Sequence, residues 1–428
     1  MTSVLRPHDN AARAPLLSRI RSSPAFASSR DPLIAWLIVA AFDLAAAALR
    51  GVHTAAEAAT QWWTAVDAQI PELTARWFLY GGEFLGGRWH ASARGPLQPL
   101  ILLMGGEWGT TPRVAYVIGV VLNASWVVGL WVLLRALGFE RKRIAFAVSL
   151  VALTGPVWLN TVYPWPKLLS AAFTMGLIAA VLRKRALLAG LLAGLALLAH
   201  GSALFALVGS APWIANRLRA RGAATLIVAL AVYAPWFVYG TVVDPPNDRL
   251  MKWHFAGTDI GTHDGRDFPR ALIDEYRDAG TRVIGYRIDN IRYALGDPTI
   301  YRAKEREWTA GWLGGLGTVR RWQITRIIWA PGLLLLGPLL WILRRRWREP
   351  KGPGELGTLA GLGAGWFLAY VLIEWGGNAD SIAMMHSAPF ALVVAFPAVC
   401  ALRCNRWMLG AQIAAFIGLW LMAPTALG

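Results

Sequence analysis

Hydrophobic residues occur along this chain in long blocks that are separated by polar stretches. The blocks are mostly long enough to cross a hydrocarbon core as helices, since about 20 apolar residues span about 30 Å. We expect eleven spans, at 33–49, 112–135, 144–161, 165–182, 186–199, 201–216, 222–242, 326–343, 357–374, 383–401 and 407–425. The predicted fold is an all-α polytopic membrane protein, with a basic tail at 1–31 and one transmembrane domain at 32–428.

Basic residues between the spans fall mainly on one side. The tail and alternate short loops hold 22 of the 42 Lys and Arg residues, whereas the short loops on the other side hold only Lys167. The positive-inside rule therefore places the tail and the basic loops in the cytoplasm and the C-terminus outside. This orientation requires a break at His200, between the spans 186–199 and 201–216.

Composition supports a membrane protein. The chain is 56% hydrophobic and only 16% charged, against about 25% charged residues in a soluble domain. The net charge of +17 does not indicate nucleic-acid binding, because basic residues at the ends of spans already explain it. Cys400 and Cys404 form neither a disulfide framework nor a complete zinc site.

Two long loops are predicted on the outer side, at 50–111 and 243–325. In the first loop, Leu73, Trp77, Tyr80 and Phe84 recur at helical spacing. This pattern predicts a helix over 71–85 that lies along the membrane interface. The stretch 271–295 is amphipathic in the same way and predicts a second such helix.

Two carboxylates are candidates for chemistry. Asp67 precedes Pro71, which is well placed to start a helix containing Glu72. An acid just above the bilayer suits a general base, although a solvated or capping aspartate is an equally simple explanation. Asp43 lies inside the first span, where a carboxylate indicates either a functional site or a partner on another helix.

Cations at the outer ends of spans suit the binding of a lipid phosphate. The candidates are Arg94, Lys167, Arg249 and Lys252, and headgroup anchoring is the alternative for each. Pro96 and Pro99 predict a backbone break that turns Arg94 into a cavity. The residues do not require a metal or another cofactor. Further contacts to a donor or an acceptor are predicted for Glu72, Asp244, His254 and His386.

Two stretches resemble motifs of the GT-C superfamily of polyprenyl-phosphate-dependent membrane glycosyltransferases, which includes bacterial mannosyl- and arabinosyltransferases. "DAQIPELTARWFLYGGEFL" resembles an acid followed by a helix, and "ARGPLQPLI" resembles an R-P-P-L element before the second span. "MMHSAPFALVVAFP" stands where many members carry R-Y-x-x-P, with His386 in place of the arginine. Gly95 replaces the first proline, and Ala68 stands where a second acid is usual.

This resemblance implies the transfer of a sugar from a polyprenyl-phosphate donor to an acceptor at the periplasmic face of a bacterial inner membrane. The acceptor would be a glycolipid, a cell-envelope glycan or a protein. Asp67 would be the acid, and the four cations would hold the phosphate. The alternatives are an O-antigen ligase or polymerase, a transporter or flippase of lipid-linked sugars, and a non-catalytic subunit of envelope assembly. The spans hold few charges and no inverted repeat is evident, which disfavours a transporter.

Overall fold

The structure is a computed structural model that describes residues 24–62, 66–82, 84–87, 90–258, 264–294, 354–375, 390–402 and 404–422. Every regular element within these ranges is helical, as the all-α prediction requires, and they contain no β-strand. Among the described residues, three helical segments are long and apolar enough to cross a membrane: Arg30–Ala48, Pro112–Ala136, which contains a turn at 124–125, and Arg221–Val242. Their length and composition are those of a membrane protein.

The helices fall into four groups along the chain. The first group is α1 (Pro24–Ala48), α2 (Ala55–Trp62), α3 (Ile70–Tyr80), α4 (Leu97–Leu103) and α5 (Gly106–Gly109). The second group is α6 (Pro112–Asn123), α7 (Trp126–Ala136), α8 (Arg141–Ala152), α9 (Gly155–Val162), α10 (Lys167–Leu182), α11 (Ala186–Ala199), α12 (Ala203–Leu218) and α13 (Arg221–Val242). The third group is α14 (Arg249–Met251), α15 (Phe268–Ala279) and α16 (Arg282–Ala294), with a π-helical turn at Lys252–Ala256. The last group is α17 (Gly354–Ile373), α18 (Phe390–Ala401) and α19 (Arg406–Met422).

Several predicted boundaries agree with these helices. The predicted span 186–199 coincides with α11, and the expected break at His200 separates α11 from α12. Pro71 lies at the start of α3, as its fixed φ angle favours. The predicted span 326–343 lies outside the described residues, as does the first part of 383–401, so the total of eleven spans stays a prediction.

Four predicted elements differ from the structure. The helix predicted over 71–85 ends at Tyr80, and Phe84 lies on a separate 3-10 turn. The span 144–161 is divided into α8 and α9, because a new helix begins at Gly155 with Pro156 in its first turn. The amphipathic stretch 271–295 is divided at Gly280 into α15 and α16. The helix α1 begins at Pro24, so the end of the predicted basic tail is helical.

The helix α10 is the centre of the bundle. It contacts α7, α11, α12 and α18, and most of its side chains are buried. A helix that is apolar all round is expected in such a position. Its approach to α7 depends on Gly129, because a Cβ atom there would lie 2.5 Å from the Ala172 carbonyl oxygen. One end of this central helix carries Lys167, which is buried.

Asp43 also lies inside the bundle. It is on α1 and is fully buried, and neither carboxylate oxygen has a hydrogen-bond partner among the described residues. Tyr116 of α6 is near enough to interact with it electrostatically. An intramembrane carboxylate in this setting is costly to ionise.

Candidate functional site

The segment around Arg94 is held between two helices of the bundle. Gly95 packs against the end of α11, where a Cβ atom would lie 2.6 Å from the Ala199 carbonyl oxygen. The Trp236 indole of α13 donates a 3.0 Å hydrogen bond to the Arg94 carbonyl oxygen. Arg94 has an extended backbone, and α4 begins three residues later. The predicted break before the second long helix is therefore present. Gly95, which departs from the R-P-P-L motif, makes the close packing against α11 sterically allowed.

Asp244 connects the two long loops. Its Oδ2 accepts a 2.9 Å hydrogen bond from the Ser92 N–H, and its Oδ1 lies 2.9 Å from His90 Nδ1. The Ser92 hydroxyl donates to the Asp244 carbonyl oxygen at 2.9 Å. Both carboxylate oxygens are thus engaged by the segment that leads into Arg94. This position fits a residue that fixes the loop better than the substrate contact predicted for it.

We expect Asp244→Ala to loosen the 90–96 segment, because the Ser92 N–H and the His90 ring both lose their acceptor. Amide hydrogen exchange in that segment should speed up by about tenfold, which corresponds to the loss of roughly 1.4 kcal/mol of local stability. Exchange in α10 should not change. Equal protection of residues 90–96 in the variant and the parent protein would contradict this assignment.

The Asp67 carboxylate and the Arg94 guanidinium form an ion pair. Their Oδ1 and Nη2 atoms are 3.5 Å apart, and Asp67 is only 8% exposed. It lies on a 3-10 turn at Val66–Gln69, immediately before α3. Burial lowers the pKa of Arg94, and the Asp67 charge partly offsets this effect. The guanidinium stays charged at neutral pH because its ordinary pKa is so high.

Lys167 adds a second cation to this ion pair. Its ammonium is buried and lies 3.9 Å from the ring centroid of Trp165 and 4.8 Å from that of Phe390. The Arg94 guanidinium lies 5.6 Å from the same Trp165 ring. Asp67 and Arg94 are also close enough to Lys167 to act on it electrostatically. An indole ring therefore lies against two cations beside one carboxylate, and cation–π contacts stabilise both cations.

The turn that carries Trp165 is fixed by two buried amides. The Asn123 side chain donates a 2.9 Å hydrogen bond to the Trp165 carbonyl oxygen. The Gln98 side chain donates to the Pro164 carbonyl oxygen at 3.1 Å. Both side chains are nearly inaccessible to solvent. Because Gln98 is on α4, this bond connects the Arg94 segment to the turn before Lys167.

Tyr163 and His200 complete the surroundings of the ion pair. The Ala68 N–H donates to the Tyr163 hydroxyl oxygen, and burial together with the Asp67 charge raises the pKa of Tyr163. The His200 ring lies 5.4 Å from the Trp165 ring. Burial, followed by the charge of Lys167, lowers the pKa of His200, so this imidazole is neutral at pH 7. These two neutral rings therefore add no charge of their own to the group.

The second long loop contributes a histidine–carboxylate pair. His254 Nδ1 lies 2.9 Å from Oε1 of Glu374, which immediately follows α17. Glu374 is 2% exposed, whereas the His254 side chain is 20% exposed. The Trp375 N–H also donates to the His254 carbonyl oxygen at 2.7 Å. His254 acts electrostatically on His200, which places the pair near the ion-pair group.

Two further predicted cations belong to the second long loop. The Lys252 ammonium lies 2.9 Å and 2.8 Å from the carbonyl oxygens of Asp264 and Arg266, and 3.1 Å from Asp248 Oδ1. Two of its N–H donors therefore bond to carbonyl oxygens within the second loop, and its predicted contact with a phosphate stays a prediction. Arg249 begins α14, three residues earlier, and its predicted role stays a prediction.

Glu72 and His386 also stay predictions. Glu72 lies on α3, 3.6 Å from the exposed Arg76, and burial raises its pKa although Arg76 acts in the opposite direction. His386 lies outside the described residues, so its match to the R-Y-x-x-P motif stays a prediction. Among the residues that the structure describes, no three His, Cys, Asp or Glu side chains lie close enough together to hold a metal ion.

Comparisons with known proteins add no identification. No family model, no curated protein and no solved structure matches this chain.

Proposed function

We propose that this protein is a membrane glycosyltransferase that moves a sugar from a polyprenyl-phosphate donor to an acceptor hydroxyl. The supporting observation is that the Asp67 carboxylate lies beside the Arg94 and Lys167 cations, which both contact Trp165. A lipid-phosphate transferase needs cations for the leaving phosphate and a carboxylate for the acceptor. The proposal places the protein among GT-C-like enzymes, with eleven spans and the site at the periplasmic face of a bacterial inner membrane.

The cations would bind the donor phosphate. Arg94 offers a planar fork of N–H donors, whereas Lys167 offers a compact charge. The bond between the anomeric carbon and the phosphate oxygen would break, and its electron pair would stay on that oxygen. Polyprenyl phosphate would leave as a stable anion, so no general acid is needed. Two cations in a water-poor site stabilise the negative charge that develops in this step.

The carboxylate would act on the acceptor. The acceptor hydroxyl oxygen would form the new bond to the anomeric carbon, and Asp67 would take up its proton. Its contact with Arg94 holds the carboxylate beside the phosphate, which orients acceptor attack toward the correct carbon. The His254–Glu374 pair supplies an oriented imidazole that suits contact with an acceptor hydroxyl. The donor sugar and the acceptor define the specificity of the reaction.

The experiment is a transfer assay on the purified full-length protein in lipid nanodiscs. Radiolabelled undecaprenyl-phosphate hexoses and pentoses are supplied one at a time, with a bacterial membrane extract as the acceptor. The proposal expects label in a product from at least one donor, with one undecaprenyl phosphate released for each sugar moved. In sealed vesicles, movement of labelled donor across the bilayer without transfer would indicate a flippase instead. The absence of both sugar transfer and donor movement would support a non-catalytic subunit.

A further inference from the structure

A basic crevice lies at the end of α10 opposite to Lys167. It has a volume of about 420 Å³ and is lined by Lys184, Arg185 and Arg221 together with Leu187 and Leu188. The 16 residues of α10 separate this crevice from the candidate site by about 24 Å at the usual rise per residue. The proposed transfer reaction therefore does not use these cations.

Close packing of two helices brings the three cations together. The Thr225 hydroxyl of α13 donates a 3.1 Å hydrogen bond to the Ala186 carbonyl oxygen of α11. A Cβ atom at Gly190 would lie 2.5 Å from the Thr225 carbonyl oxygen. These contacts fix the start of α11 beside the start of α13. Arg185 immediately precedes α11 and Arg221 begins α13, so their charges flank the same opening.

Both helices carry exposed apolar side chains in the turns that follow this opening. On α11, Leu187 is 65% exposed, and Leu191 is also exposed one turn further along. On α13, Ile227 is 65% exposed, with Leu226 and Leu230 beside it. Apolar side chains exposed on two packed helices are unfavourable in water and are expected to face lipid chains. The cations at the opening match the headgroup phosphate of a phospholipid, and the exposed apolar side chains match its acyl chains.

We propose that this crevice binds an anionic diacyl phospholipid. The headgroup phosphate lies among Lys184, Arg185 and Arg221, and an acyl chain lies along the exposed faces of α11 and α13. Clusters of basic residues between membrane helices bind anionic headgroups by charge-assisted hydrogen bonds. A free phosphate ion would satisfy the cations but would leave the exposed apolar side chains uncovered, so the lipid is the occupant that fits both features.

Native mass spectrometry of the full-length protein measures this binding. The probe is phosphatidylglycerol, with phosphatidylcholine of the same chains and inorganic phosphate as separate arms. Changing Lys184, Arg185 and Arg221 together to Gln should weaken phosphatidylglycerol binding at least tenfold. The charge-conserving variant Lys184→Arg/Arg185→Lys/Arg221→Lys should retain it. Inorganic phosphate should not displace the lipid.

The matched control removes three exposed cations elsewhere, by the changes Lys142→Gln, Arg217→Gln and Arg406→Gln. It should bind phosphatidylglycerol as the parent protein does. A photoactivatable phosphatidylglycerol added to the parent protein should label peptides within 184–191 and 221–230. Equal weakening in the control variant, equal binding of phosphatidylcholine, or labelling confined to other peptides would overturn the proposal. Each outcome is independent of whether the protein transfers sugar.

Discussion

Asp67→Asn is expected to lower the rate of sugar transfer by about 100- to 10,000-fold, the usual effect of losing a general base. The amide keeps the size of the carboxylate but cannot take up the hydroxyl proton. The binding of undecaprenyl phosphate should weaken little, because Arg94 and Lys167 remain. Single-turnover transfer and lipid binding, measured on the same preparation, separate these two effects.

The matched control is Glu107→Gln, which removes an exposed carboxylate from the same predicted loop. It should leave both measurements unchanged. Asp67→Glu restores the acidic group at a shifted position and should recover part of the activity. If Asp67→Asn transferred sugar at the parental rate, Asp67 would be only a structural partner of Arg94, and the proposed chemistry would lose its base.

Lys167→Met is expected to have opposite effects on function and stability. Methionine fills a similar volume but lacks the charge, so the binding of undecaprenyl phosphate should weaken by about 10- to 100-fold. The melting temperature should rise, because a nearly inaccessible ammonium is costly to keep desolvated. Such a trade-off is common where a binding site retains an unfavourable charge. Lipid binding and thermal unfolding in the same detergent test both parts.

Lys142→Met is the control for this prediction. Lys142 is exposed at the start of α8, so its removal should change neither the melting temperature nor the binding of undecaprenyl phosphate. A lower melting temperature for Lys167→Met, together with unchanged lipid binding, would show that the ammonium stabilises the bundle through Trp165 and Phe390. Lys167 would then have no role in the site.

The sequence was sufficient to predict many of the described helices and to select three residues that the structure brings together. Apolar block length located α11, and the charge asymmetry required the break at His200. Asp67, Arg94 and Lys167 were each distinguishable by residue type and by position at a predicted membrane boundary. Their convergence was an expectation that no sequence pattern could establish, because the three residues belong to different helices and turns.

Other parts of the site depend on contacts between distant residues. The hydrogen-bond partner that orients His254 is Glu374, which is 120 positions away. Asn123 fixes the turn at Trp165, but the sequence shows only a polar residue inside an apolar block and does not reveal its partner. Lys252 had the residue type and position of a phosphate ligand, but its ammonium donates two hydrogen bonds to carbonyl oxygens of its own loop. Hydropathy and spacing carry no information about such partners.

The central claim is that Asp67, Arg94 and Lys167 surround one lipid phosphate. A cryo-electron microscopy structure in lipid nanodiscs that contain undecaprenyl phosphate tests it most directly. We predict density for the phosphate within about 3 Å of the Arg94 guanidinium and the Lys167 ammonium, the distance of a charge-assisted hydrogen bond, with Asp67 beside it. A phosphate bound elsewhere, with Arg94 and Lys167 facing different sides of the bundle, would contradict the account.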